Sequence, residues 1–279
     1  MEFVDFRLLH KSKRIDLLFP GWTEGETVAF LSPHDDDVLL GAGYLLKATL
    51  ENTGLPLILI FCSGDAGYSF PEEKDTIVQR RRQEAIQAYG LLGVKEENII
   101  SFDVPDFSLM PYVNRMLSQE QGLFEEQVRL FREKRVSRVI FSSGHFEHWD
   151  HTAVFNMGIY TSPQAGDPVL ADTGEPYAAK SHYIYSVWGD FEPPKSEKDL
   201  TRADKGILVE DDFEDKIRSA IRCFASQRKI FKDIVDHREK RKSDLGYLEL
   251  YKTADIRPQT DFGPYFILLN RCKAIDEKE

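Results

Sequence analysis

Four short, mostly apolar runs, at 26–31, 56–62, 98–104 and 136–141, alternate with stretches whose apolar residues recur at helical spacing. A strand that is apolar on both faces must be covered on both faces, and that is the pattern of a parallel sheet with helical crossovers. The helical stretches lie at 37–51, 75–92 and 119–134; another begins within 151–160, and 183–188 reads as a fifth strand. Crossovers are right-handed, so the expected fold class is α/β, a Rossmann-like, doubly wound, mostly parallel sheet with helices on both faces. In the common order 3-2-1-4-5 the first and fourth strands are neighbours at the topological switch point, where ligands bind beyond the carboxyl ends. No G-x-G-x-x-G follows the first run. Pro33-His34-Asp35-Asp36-Asp37 stands there instead, which disfavours a dinucleotide site.

The 279 residues show no repeat and no clean linker. They are expected to form a single domain over 1–279, with its core at about 26–240 and a C-terminal extension at 241–279. Residues 162–180 and 190–212, rich in Pro, Gly, Lys and Asp, read as loops near the ligand end; 211–242 carry a long helical pattern and 265–269 a late strand. Asp plus Glu number 47 against 36 for Lys plus Arg, a net charge of −11. Such a surface repels phosphate backbones and anionic membranes, so no nucleic-acid partner is expected. The longest apolar run, 57–62, is about a third of a bilayer span, so no stable membrane insertion is expected either. Three scattered cysteines and the lack of a basic head followed by a long apolar core point to a cytoplasmic protein. A homo-oligomer stays open.

Four of the seven histidines fall into two short segments, His34-Asp35-Asp36-Asp37 and His145-Phe146-Glu147-His148-Trp149-Asp150-His151. Each follows an expected strand, the first and the fourth, so the two face each other across one crevice. Imidazole and carboxylate together suit Zn²⁺, and three protein ligands with one open position make a catalytic site. One His and one Asp of the first segment with one His of the second would supply them. A remaining carboxylate could serve as general base and a remaining imidazole could donate to developing charge. Capping of the next helix also accounts for Asp36 or Asp37, but it needs only one of three adjacent carboxylates. The aromatic residues in the candidate loops, Tyr68, Phe70, Phe107, Tyr112, Trp149 and Trp188, are compatible with a stacked sugar and equally with core packing or loop anchoring.

These segments resemble the LmbE-like, or PIG-L, family of zinc-dependent N-acetylglucosaminyl deacetylases. Its first motif, His-Pro-Asp-Asp-Glu, aligns with His34-Asp35-Asp36-Asp37-Val38, and its second, His-x-Asp-His, with His148-Trp149-Asp150-His151. Ser63-Gly64-Asp65-Ala66-Gly67 resembles its glycine loop, and Arg81-Arg82-Gln83-Glu84 its Arg-x-x-Glu helix. The likeness runs from about Thr27 to Gln227. Asp35 and Val38 depart from the family's Pro and Glu. The resemblance implies that His34, Asp37 and His151 hold one Zn²⁺ per chain, with Fe²⁺ as the other ion to consider. It implies Asp36 as general base, His148 as stabiliser of the intermediate, Asp150 as the group that orients a histidine, and Arg81 as a substrate contact. The implied reaction removes the acetyl group from an N-acetylglucosamine-type amino sugar or its conjugate. Two other functions fit parts of the pattern: a non-haem iron oxygenase with a two-His, one-carboxylate triad, and a non-catalytic sugar-binding module.

Overall fold

Strand β3 (Thr27–Ser32) is buried along almost its whole length and is the middle strand of the parallel part of the sheet. The computed structural model describes residues 1–117, 120–145, 147–188, 203–257 and 261–276. The remaining strands are β1 (Glu2–Asp5), β2 (His10–Ser12), β4 (Leu55–Cys62), β5 (Ile99–Val104), β6 (Met116–Leu117), β7 (Glu120–Gln121), β8 (Val136–Ser142), β9 (Ser181–Tyr185), β10 (Lys205–Val209) and β11 (Tyr247–Thr253). The helices are α1 (Asp37–Glu51), α2 (Ile77–Leu92), α3 (Leu109–Tyr112), α4 (Phe124–Glu133), α5 (Trp149–Asn156), α6 (Asp211–Ile221), α7 (Lys232–Glu239) and α8 (Gly263–Asp276).

The large sheet runs β2-β1-β10-β11-β9-β8-β3-β4-β5. From β9 to β5 every pair is parallel, and β3 lies between β4 and β8. The five parallel strands therefore adopt the 3-2-1-4-5 order, and the switch point falls between β3 and β8. Period-two alternation in β3 sends Val28 and Phe30 into the core shared with α1, α2 and α6. Ala29 and Leu31 enter the opposite core, with α4 and α5. Both faces of β3 are thus covered, which is why its residues 28–31 are all apolar.

Beyond β9 the sheet continues through four antiparallel strands, β11, β10, β1 and β2. The sequence reading had placed β10 inside a loop and β11 inside the C-terminal extension. In β11 the buried positions are Tyr247, Glu249 and Tyr251, while Leu248 and Leu250 are only half-buried. A buried glutamate inverts the apolar pattern that marks a strand. Glu249 is accommodated because it accepts from the Tyr44 N–H at 2.8 Å and from the Tyr251 hydroxyl, with Arg238 at 3.7 Å.

The helical pattern at 211–242 is two helices, α6 and α7, broken between them by a short 3-10 turn at Ala225–Gln227. The expected strand at 265–269 is instead part of α8. Its apolar run has no neighbouring strand to pair with, so local helical bonding prevails. Of the expected loop 190–212, residues 190–202 lie outside the described residues. No described helix is long and apolar enough to cross a membrane.

Candidate metal centre

Because β3 and β8 are parallel neighbours, the chain leaves both at the same edge of the sheet. The turn after β3 carries His34, Asp35 and Asp36 and enters α1 at Asp37. The turn after β8 carries Glu147 and His148, and His148 is the N-cap of α5, its Nδ1 accepting from the Asp150 N–H at 3.2 Å. The crevice between the two turns opens into a cavity of about 220 Å³, lined by His34, Asp36, Asp37, Arg81, His148 and His151 among others.

Three donor atoms converge there. His34 Nδ1 lies 3.2 Å from Asp37 Oδ2, and His151 Nε2 lies 3.2 Å from the same oxygen. One ligand atom from each of the three residues falls within 4.8 Å of the others. A tetrahedral ion with ligands at about 2.0–2.1 Å separates its donors by roughly 3.3 Å, so the donor types and this spacing fit a zinc-sized cation. The other nitrogen of each histidine faces a carboxylate. His151 Nδ1 donates to Glu147 Oε2 at 2.7 Å, and His34 Nε2 lies 3.4 Å from Asp150 Oδ2. Such outer carboxylates fix the ring orientation and tautomer of a ligating histidine. His34 Nδ1 and His151 Nε2 are turned towards Asp37 for that reason.

Burial alone would lower the His34 and His151 pKa values. Their carboxylate partners outweigh it, so His34 is held well above its ordinary value and His151 is raised to about 9. Burial would likewise raise Asp37, but the charge and hydrogen bonds of His151 and His34 hold it well below the ordinary carboxylate range. Groups that ligate a divalent cation must first shed such protons.

The remaining carboxylates divide by environment. Asp36 is buried, which with Asp35 and Asp37 nearby pushes its carboxyl up to about 7, against the opposing pull of Arg81 and His34. Asp150 is fully buried and accepts from the Phe107 N–H at 2.8 Å and the Leu109 N–H at 3.3 Å. It therefore braces a pocket loop as well as facing His34. His148 has its pKa lowered, by burial and then by His34. A neutral ring whose Nδ1 accepts a backbone N–H carries its proton on Nε2 and is a donor there.

Arg81 lines the cavity, but its partner is neither Glu84 nor a neighbour on the helix surface. It forms a buried pair with Asp35, with Nε at 3.0 and 3.1 Å from the two carboxylate oxygens and a further bond from Nη2, and it lies 3.7 Å from Asp36. Asp35 is correspondingly buried, at the position where the family motif has Pro. Gly64 and Gly67 cradle this guanidinium: a Cβ on either would fall within 3.0 Å of Arg81 atoms, and Gly64 has φ +75°. His145 and His182 do not line the cavity.

Three contributors escaped the sequence reading. Glu147 sits four residues before His151, a spacing that brings side chains together at a helix start and could have flagged it. Asp106 accepts from the Gly64 and Ala66 N–H groups at 2.8 and 3.1 Å. Gln227 lines the pocket from the turn between α6 and α7. Asp106 has no local signal, and Gln227 enters the sequence reading only as the end of the family likeness, not as a pocket residue.

The PIG-L family model, described as GlcNAc-PI de-N-acetylase, matches residues 29–161. The match covers just under half of the chain and takes in both histidine-carboxylate segments, so residues 29–161 are similar to the PIG-L, or LmbE-like, family. The matched family and the solved neighbours indicate a hydrolytic N-deacetylase. Solved structures share the fold. N,N'-diacetylchitobiose deacetylase from Pyrococcus horikoshii superposes with a TM-score of 0.67 at 17% identity, covering 82% of this chain and 84% of that one. The A40926 pseudoaglycone deacetylase Dbv21 gives 0.61 at 16% identity, covering 85% and 100%. GalB, the 4-carboxy-2-hydroxymuconate hydratase of Pseudomonas putida KT2440, gives 0.63 at 18% identity, covering 85% and 99%. The fold alone thus does not dictate the reaction. No curated protein sequence matches the chain significantly.

Proposed function

We propose that the chain hydrolyses the acetamide of an N-acetylglucosamine-type amino sugar or its conjugate, releasing acetate and a free amine. The observation that carries this reading is the convergence of His34 Nδ1, Asp37 Oδ2 and His151 Nε2 beside the Asp36 carboxyl. In it, His34, Asp37 and His151 hold one Zn²⁺. When bound, the ion polarises an amide carbonyl and lowers the pKa of water from about 15.7 towards 7.

Asp36 takes the proton from the attacking water. With a carboxyl near 7 in the metal-free site it is close to the poise a general base needs, and a nearby cation lowers it further into the ionised state. His148 donates from Nε2 to the oxygen that gains charge as the carbonyl becomes tetrahedral. Loss of one such donor costs about 3–4 kcal/mol. The proton held by Asp36 then passes to the leaving amine, so water and amide give acetate and amine with no further reactant. Asp150 orients His34, and Arg81 acts on the substrate side through Asp35 and Asp36 rather than as a free cation.

The enzyme is read as cytoplasmic, which its three unpaired cysteines support. The test is a panel of N-acetyl amino sugars assayed for acetate and free amine, with and without a chelator. Release that stops on chelation and returns with Zn²⁺ is expected. No release from any sugar at full metal occupancy would overturn the reading.

A further inference from the structure

The cavity changes character from its floor to its mouth. Asp36, Arg81 and Gln227 on the floor are buried. Of the residues lining the cavity, those classed as exposed are Ala66, Phe107, Trp188 and Ile230. None of the four is charged, in a chain whose residues are 30% charged. Phe107, Trp188 and Ile230 are 61%, 57% and 54% exposed, with Val187, Phe231 and Ile234 completing an apolar wall behind them. Single exposed apolar side chains need no explanation, but several large ones around one opening mark a surface that another apolar group covers.

Phe107 adds an independent observation. Its φ is +62°, a left-handed conformation that a bulky side chain rarely adopts. The backbone is held there by the bond from its N–H to the Asp150 carboxylate, and the ring stands 4.6 Å from the His148 ring. Unusual backbone of this kind gathers at ligand-binding sites. The chemistry of the substrate says which group would meet that ring. In a 2-acetamido sugar the scissile nitrogen is on C2 and the glycosidic oxygen is on C1, the adjacent carbon. Of the two carbons flanking C2, C1 alone carries the glycosidic substituent, so that substituent is the large group within reach of a ring beside His148, the donor at the reacting amide.

We propose that Phe107, Trp188 and Ile230 form a subsite for an apolar, ring-bearing aglycone, so that the substrate is an N-acetylglucosamine glycoside of an aromatic or similarly apolar alcohol. The inference rests on the deacetylase reading for the sugar and on the pocket mouth for the aglycone. Aromatic side chains supply both area and a stacking face for such a group.

Two measurements on the full chain test it. The first compares kcat/KM for phenyl and methyl 2-acetamido-2-deoxy-β-glucoside with zinc present. The phenyl glycoside is expected to be favoured by about tenfold, the order gained by removing part of one ring from water. In Trp188→Ala and Ile230→Ser the ratio is expected to fall to within about threefold of one, the scatter usual for neutral surface changes. The second compares binding of phenyl and methyl β-glucoside, which carry no acetamide, to the metal-free chain by calorimetry. A phenyl preference that disappears in both variants supports the subsite whether or not acetate is released. Equal affinity for the two glucosides, or a preference unchanged in the variants, overturns it. No acetate from either N-acetyl glycoside overturns the deacetylase reading alone, because the binding comparison scores the subsite without turnover.

Discussion

At their N-terminal ends β3 and β8 bring Glu26 and Arg138 together, with Arg138 Nε 2.8 Å from Glu26 Oε2. Lys180 adds a bond to Oε1 at 2.6 Å and Ser137 one to Oε2 at 3.1 Å. Burial would raise Glu26, but these donors outweigh it and lower its pKa to about 2. At their C-terminal ends the same two strands lead into Asp35, Asp36, Asp37, Glu147 and Asp150, with Asp106 alongside, and among the described residues lining the crevice the permanent cation is Arg81. One end satisfies its buried charge internally. The other leaves a surplus of carboxylate that histidine protons only partly offset. Buried charge is tolerated when matched, so an unmatched cluster in a crevice marks a place for an external cation.

The comparison is broken most severely at the unmatched end. Replacing Asp36 by Asn is expected to lower turnover by about 10²–10⁴-fold, the range for a lost general base, while metal content stays at one ion per chain. Acetate release and metal analysis on the same sample check this, and loss of the ion would make Asp36 a ligand instead. At the matched end, Glu26→Gln strands the buried Arg138 and is expected to cost about 3–5 kcal/mol of folding stability. Denaturant unfolding measures it, and activity per folded molecule should be retained.

How far this contrast was legible in the sequence depends on distance along the chain. The order of the five parallel strands and the start of α1 at Asp37 follow from apolar runs, and the grouping of His34 and Asp37 with His151 from the family resemblance of two short motifs. The supporting contacts do not. Asp35 with Arg81 spans 46 residues, and the carboxylate of Asp150 reaches back to the backbone at Phe107. Such bonds depend on where loops pass over the sheet edge, which periodicity does not encode. The antiparallel half was hidden for a related reason: β11 buries Glu249, which the tertiary partners Tyr44 and Arg238, with Tyr251 of the same strand, make tolerable.

Two smaller effects sharpen the contrast. Glu147 joins the His151 Nδ1 to the pocket wall, accepting also from the Ser186 hydroxyl and from the Trp188 N–H at 3.3 Å. Glu147→Gln is expected to weaken metal binding by about 10–100-fold, read as a shift in the zinc dissociation constant. No change in that constant would remove Glu147 from the centre.

Acid should act on the matched end as well. Glu26 has its folded pKa lowered from an ordinary 4.5 to about 2. Its contribution to stability is therefore complete above pH 4.5 and is lost as pH falls through that window towards 2. Unfolding free energies measured across pH 5 to 2 should decline less in Glu26→Gln than in the wild type. Parallel decline in both would show that other carboxylates dominate.

The most direct test of the unmatched cluster is the melting temperature of the metal-stripped chain titrated with Zn²⁺ at neutral pH, wild type beside His151→Ala. An ion bound only by the folded state raises stability with the logarithm of its concentration. The wild type should show that rise with one ion per chain, and the variant should not. A flat melting temperature in the wild type, or an equal rise in both proteins, would contradict the assignment of His34, Asp37 and His151 to one cation.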